Sequence, residues 1–150
     1  MRIHTRQHGF TLIEVIAVLA LIAIVVGSVA FSFNKSLGGA KIRSSVKDVV
    51  AALRYTRGQA IVKGEEKALE VDVEARTYQA PGKNPVTLPE GLDMKLLTAQ
   101  SELTEDGKGR IRFYPDGSST GGRVTILRDT KEWRVEVAWL TGEVRLEEDK

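Results

Sequence analysis

The 150-residue sequence contains no cysteine and only two histidines, His4 and His8, both within its first nine residues. Without cysteine the chain has no disulfide scaffold, no thiol nucleophile and no thiolate metal site. If the first nine residues are removed by processing, no histidine remains as a general base or metal ligand. These absences argue against most hydrolases and metalloenzymes, so we expect no catalytic residue, no cofactor and no metal site.

An excess of charge of one sign is also lacking, because 22 Lys+Arg stand against 20 Asp+Glu.

What the chain does have is one long apolar segment, residues 10–33, which no proline interrupts. As a helix it would extend about 36 Å, enough for a hydrocarbon core of about 30 Å. The sequence therefore predicts a transmembrane helix over residues 10–33, and nothing else in the chain is long enough for a second.

Composition leaves three interpretations of this segment open. A secretory signal peptide would be cut near Ser28-Val29-Ala30, which has small residues at both ends. A plain single-span anchor is the second interpretation. The third depends on Glu14, because a carboxylate at mid-bilayer costs about 2.5–3.5 kcal/mol and calls for a partner.

Residues 9–14 read Gly-Phe-Thr-Leu-Ile-Glu and follow a short basic leader. This resembles the prepilin signal of type IV pilins and of the pseudopilins of type II secretion. The resemblance implies a leader peptide over residues 1–9, cleavage by a prepilin peptidase between Gly9 and Phe10, and N-methylation of Phe10. It also implies an assembly role for Glu14, which would meet the N-terminal amine of a neighbouring subunit.

Beyond the apolar segment, hydrophobic residues first recur at helical spacing and then, after Gly64, at a spacing of two. The apolar arc of the helix comprises Ile42, Val46, Val49, Val50, Leu53 and Ala60. Strands are expected over residues 69–75, 86–88, 92–96, 111–113, 124–127, 133–140 and 144–146, with 101–109 as an exposed loop. The pattern predicts an α+β fold, in which a long N-terminal helix packs against an antiparallel β-sheet. This is also the pilin-like fold.

Two further segments, residues 53–61 and 113–122, resemble the minor pseudopilin H of type II secretion and its FimT-type relatives. That family implies a structural protein, anchored once in the bacterial inner membrane and assembled at or near the tip of a periplasmic pseudopilus. In this layout residues 34–63 form the soluble half of the helix and residues 64–150 the periplasmic β domain. The implied partners are the major and other minor pseudopilins, the prepilin peptidase/methyltransferase and the inner-membrane assembly platform. A minor pilin of a type IV pilus or DNA-uptake system is the alternative.

Charge is distributed unevenly along the mature chain. Residues 35–63 hold seven basic and one acidic residue, a net of +6, whereas residues 64–150 hold 13 basic and 18 acidic residues, a net of −5. On a helical wheel Arg43, Lys47 and Arg54 line up beside the apolar arc as a possible subunit-contact stripe, and Arg57 falls within the arc. The acidic C-terminal residues 147–149 disfavour binding to nucleic acid.

Two local features have competing explanations. Residues 115–122, Pro-Asp-Gly-Ser-Ser-Thr-Gly-Gly, contain turn-forming residues and hydroxyls that could cradle a phosphate. A structural connector is favoured, because no P-loop lysine is present. Trp133 and Trp139 are expected to share one face of a strand and to pack in the core.

Overall fold

The protein is described by a computed structural model over residues 12–104 and 108–148, and within these ranges the side chains of residues 28–38 and 148 are left undescribed. The chain divides into two compact units, Met1–Ala40 and Lys41–Lys150. The predicted leader, with Gly9 and Phe10, lies outside the described residues.

Helix α1 extends over Leu12–Lys63. In the first unit its described side chains are mostly large, apolar and exposed, from Leu12 at 79% to Val26 at 61%. Over the residues that the structure describes, no helix has both the length and the hydropathy of a membrane span. The span expected over residues 10–33 stays a prediction.

In the second unit, α1 buries the apolar arc that its sequence spacing predicts. Ile42, Val46, Val49, Leu53 and Ala60 are at most 6% exposed, and Val50 is half-buried. Gly64 ends the helix in a left-handed conformation with φ of 65°, and the amide of Glu65 returns to the carbonyl oxygen of Ala60. Glycine suits this helix-capping position, because it takes the left-handed conformation without the strain that a Cβ atom would cause.

In the part of the chain that the structure describes there are eight antiparallel strands: β1 Lys67–Asp72, β2 Thr77–Gln79, β3 Val86–Thr87, β4 Asp93–Leu97, β5 Lys108–Phe113, β6 Gly122–Arg128, β7 Lys131–Val137 and β8 Val144–Glu148. They form two four-stranded sheets, ordered β3-β2-β1-β5 and β4-β6-β7-β8. Residues from the helical arc and from both sheets make one buried cluster. Its largest fully buried members include Phe113, Leu69, Ile111 and Ile126. The α+β prediction is therefore confirmed.

The first strand ends earlier than its alternating sequence predicts. Alternation continues to Ala75, but β1 stops at Asp72, whose carboxylate accepts a hydrogen bond from the amide of Ala75 at 2.8 Å. Arg76 then takes a φ of 55°, which completes the turn into β2. An aspartate that bonds to the backbone three residues ahead favours a turn over a strand.

The expectation for Trp139 is wrong. Trp133 lies within strand β7, is 9% exposed and belongs to the core. The strand ends at Val137, so Trp139 lies in the following turn and is 68% exposed. The reversal is set by Gly142, whose amide donates to the carbonyl oxygen of Ala138 at 2.8 Å and whose φ is 62°. The turn thus begins at Trp139, within the range expected for the strand.

The loop expected over residues 101–109 is only partly as predicted. A short 3₁₀ helix, Gln100–Glu102, overlaps the start of this loop, and Glu102 is 5% exposed. Residues 105–107 lie outside the described residues, and β5 already begins at Lys108. A polar sequence suggests an exposed loop, but Glu102 is buried because two arginines face it, as described below.

Candidate functional site

Glu14 lies in the first turn of α1 as the structure describes it, among exposed apolar side chains. The surrounding apolar surface fits a helix that packs in lipid or against other helices. The assembly role of Glu14, like the cleavage at Gly9 and the methylation of Phe10, remains a prediction.

The three residues of the basic stripe are all exposed on α1, as the helical wheel predicts. They do not have equal surroundings, however. Arg54 donates a hydrogen bond from Nη2 to the carbonyl oxygen of Val144 at 3.3 Å, at the start of β8. Arg54 is thus tied to the sheet that follows it in the chain.

Arg57 holds two loops onto the helix. Its Nε donates to the carbonyl oxygen of Gly117 at 3.0 Å, and its Nη2 donates to that of Thr141 at 2.9 Å. These loops precede β6 and β8, so a single guanidinium connects α1 to two distant parts of the second unit. The sequence placed Arg57 in the buried arc, and the structure shows that its charged end reaches backbone carbonyls.

The segment 115–122 satisfies its own polar groups. The carboxylate of Asp116 accepts hydrogen bonds from the amide of Ser118 at 2.9 Å and from its hydroxyl at 2.6 Å. These bonds, the hydroxyl first, hold the pKa of Asp116 below its usual value. Ser119 accepts from the amide of Gly121 and donates to the carbonyl oxygen of Ala138, and Thr120 accepts from the amide of Arg112. Hydroxyls that could cradle a phosphate are thus used internally, which favours the structural connector.

A cavity of 360 Å³ opens beside the Arg57 bridge. It is lined by Arg54, Arg57, Gly142, Glu143 and Val144. Glu143 is held by Arg145 at 2.7 Å, and this hydrogen bond, with a smaller contribution from Arg57, lowers the pKa of its carboxyl group. The cavity therefore combines two guanidinium groups with one carboxylate that already has a partner.

A second charged cluster was not predicted from the sequence. The carboxylate of Glu102 accepts from Arg112 Nε at 2.9 Å and lies 3.5 Å from Arg110 Nε, while Arg112 Nη1 reaches Glu66 at 2.9 Å. The Glu102 hydrogen bond raises the pKa of Arg112. The available signal was the i, i+2 spacing of Arg110 and Arg112, which puts both on one face of a strand. Its acidic partner could not be assigned without the fold.

Comparison with known proteins identifies relatives along most of the chain. The family model for the prokaryotic N-terminal methylation motif matches residues 4–30, and that for type II transport protein GspH matches residues 45–141. Type II secretion system protein H of Xanthomonas campestris pv. campestris is 36% identical over 143 residues, covering 95% of this chain and 85% of the relative. The protein of the same name from Escherichia coli K12 is 31% identical over 130 residues, covering 83% and 75%.

Solved structures show the same fold. The minor pseudopilin EpsH of Vibrio cholerae is 22% identical with a TM-score of 0.55, covering 71% of this chain and 95% of that one. The type IV minor pilin FimU of Pseudomonas aeruginosa is 15% identical with a TM-score of 0.52, covering 70% and 87%. Both likenesses support the pilin-like architecture of a long helix with antiparallel sheets.

Proposed function

The chain belongs to the type II transport protein GspH family, and from this premise we propose that it acts as a minor pseudopilin of a type II secretion system. The observation that carries the proposal is the order of two matches along one chain, a methylation motif over residues 4–30 and the GspH region over residues 45–141. The two curated relatives bear the name type II secretion system protein H. A DNA-uptake pilin therefore becomes the less favoured alternative.

In this role the chain is first processed at its N-terminus. A prepilin peptidase would cut between Gly9 and Phe10, and the new amine of Phe10 would be methylated. The apolar part of α1 would then hold the protein in the inner membrane, with the β domain in the periplasm. The methylation motif supports this sequence of events.

Assembly would follow by packing of apolar helices, with the other pseudopilins as partners. In lipid, Glu14 and the N-terminal amine of a neighbour would each relieve the other's desolvation cost, which sets the register between subunits. The stripe of Arg43, Lys47 and Arg54 would face acidic surfaces of neighbouring subunits. The function is structural and uses no chemistry on a substrate.

Substitution of Glu14 by alanine tests this proposal in cells that depend on the protein for secretion. We expect normal cleavage, because the peptidase acts at Gly9, but loss of incorporation into the pseudopilus and loss of secretion. Leu19→Ala is a suitable control, because it changes another exposed side chain of the same helix without removing a charge. The readouts are N-terminal sequencing and co-purification with the other pseudopilins.

Two results would contradict the proposal. A mature chain that starts at Phe31 would indicate an ordinary signal peptide, with cleavage after Ala30. Full incorporation of the Glu14→Ala chain would remove the role of the carboxylate in assembly.

A further inference from the structure

We propose that the cavity beside Arg54 and Arg57 is a receptor for an acidic side chain of a neighbouring pseudopilin. The inference rests on the proposed function and adds to it the chemistry of one contact. It assigns a different role to Arg54 than to the other residues of the basic stripe, because only Arg54 among them lines this cavity.

The first argument concerns the partners of the two guanidinium groups. Many arginines of the sheets pair with carboxylates, including Arg112 with Glu102, Arg123 with Glu136 and Arg145 with Glu143. Within the described part of the chain, the hydrogen bonds of Arg54 and Arg57 go to carbonyl oxygens of Val144, Gly117 and Thr141. A carbonyl orients a guanidinium but does not neutralise it, and the Glu143 carboxylate in the cavity is already paired with Arg145, so the cavity keeps positive charge.

The second argument concerns preorganisation. Arg57 is fixed by two bonds, through Nε and Nη2, which leaves Nη1 for another acceptor. Arg54 lies one helical turn earlier, on the same side of α1. Arg57 can therefore bind a carboxylate with little further loss of side-chain freedom, and Arg54, which lines the same cavity, adds a second positive charge.

The third argument identifies the occupant as a protein segment. The turn that contributes Gly142 to the cavity also carries Trp139 and Leu140, which are 68% and 66% exposed. Tryptophan and arginine are both enriched in the hot spots of protein–protein interfaces. A cavity lined by two arginines is complementary to a carboxylate, and charge complementarity therefore favours an acidic side chain of a neighbouring pseudopilin as the occupant.

Charge reversal at Arg54 gives a direct test with the full-length chain, co-expressed with the other pseudopilins and purified in detergent. We expect Arg54→Glu to reduce co-purification at least about tenfold, the effect of losing one charge-assisted contact. The matched control Lys41→Glu reverses a charge at another exposed position of α1, outside both the stripe and the cavity, and we expect a change below about twofold. Arg54 makes a single 3.3 Å bond within the chain, so the variant should fold, and circular dichroism would verify this.

Rescue identifies the source of the carboxylate. A single acid-to-lysine substitution on a partner pseudopilin should restore assembly of the Arg54→Glu chain, which no lipid headgroup can do. Trp139→Ala should weaken the same complex several-fold while leaving the core intact. The inference is overturned if Arg54→Glu co-purifies like the wild type, if Lys41→Glu is equally defective, or if none of the exposed partner acids gives rescue. If the wild-type chain itself fails to co-purify with the other pseudopilins, it is the proposed function that fails.

Discussion

At the scale of single residues, the Arg57 bridge depends on two glycines. Gly117 and Gly142 have φ values of 86° and 62°, and each backbone lies against the Arg57 side chain. A Cβ atom at Gly142 would collide with the carbonyl oxygen of Gly117 and lie 2.8 Å from Arg57 Nε. Glycine is therefore needed at 142 both for its backbone conformation and for the space that the guanidinium occupies.

We expect Gly142→Ala to lower the free energy of unfolding by more than about 2 kcal/mol, because a left-handed alanine costs about 1–2 kcal/mol before the collision is added. Gly58→Ala is the matched control, since Gly58 lies inside α1 and a Cβ atom there would meet nothing within 4 Å beyond the helix's own backbone. That change should instead stabilise by about 0.5–1 kcal/mol. Urea denaturation of both full-length variants gives the comparison. Equal shifts in the same direction would contradict the role assigned to Gly142.

At the scale of secondary-structure elements, the buried carboxylate of Glu102 joins the 3₁₀ helix to β5. Its side chain is 6% exposed, whereas that of Glu66, which also pairs with Arg112, is 53% exposed. Removal of a buried partner leaves charge uncompensated, and removal of an exposed one does not. The two glutamates therefore differ in energetic weight although they contact the same arginine.

This difference predicts unequal effects of the same substitution. Glu102→Gln should reduce the free energy of unfolding by about 1–3 kcal/mol, as expected for a buried charged hydrogen bond. Glu66→Gln should cost less than about 1 kcal/mol, as expected for an exposed pair. Thermal unfolding of the two variants would measure both values, and a larger loss for Glu66→Gln would show that the cluster is organised differently.

The elements show which structural information the sequence contains. The arc of α1 and the alternating strands follow from local spacing, because burial on one face imposes a period. The end of β1 at Asp72 and the exposed Trp139 depend instead on hydrogen bonds to the backbone that interrupt an otherwise regular pattern. The Glu102 cluster and the Arg57 bridge join residues far apart in the chain, so they required the fold.

The residues of the candidate site also differ in whether the local sequence or only the fold reveals them. The positions of Gly9, Phe10 and Glu14 follow from a contiguous motif, and the stripe follows from helical geometry. The cavity, by contrast, combines α1 with a turn more than 80 residues later in the chain, as the Arg57–Thr141 bond shows. No periodicity links two such segments, and their proximity is a consequence of sheet topology.

At the scale of the whole molecule, the separation of charge along the chain bears on how subunits meet. The net of +6 over residues 35–63 and of −5 over residues 64–150 would attract opposite parts of neighbouring subunits before they make contact. Exposed charges act mainly on the rate of encounter, while desolvated pairs act on the lifetime of the complex. Substitution of the exposed Arg43 and Lys47 should therefore change the association rate, whereas substitution of Arg54 should change the dissociation rate.

We expect the association rate with the other pseudopilins to fall as salt is raised from about 50 mM to about 500 mM, since the Debye length shortens from roughly 14 Å to roughly 4 Å. Replacing Arg43 and Lys47 together by glutamine should flatten this salt dependence and leave the dissociation rate nearly unchanged. Arg54→Gln should leave the salt dependence of association nearly unchanged and raise the dissociation rate, because the carboxylate that Arg54 binds would lie in the cavity. Association and dissociation of the full-length chain in detergent, followed by surface plasmon resonance at three salt concentrations, would separate the two effects. An association rate that does not respond to salt would mean that the uneven charge has no part in assembly.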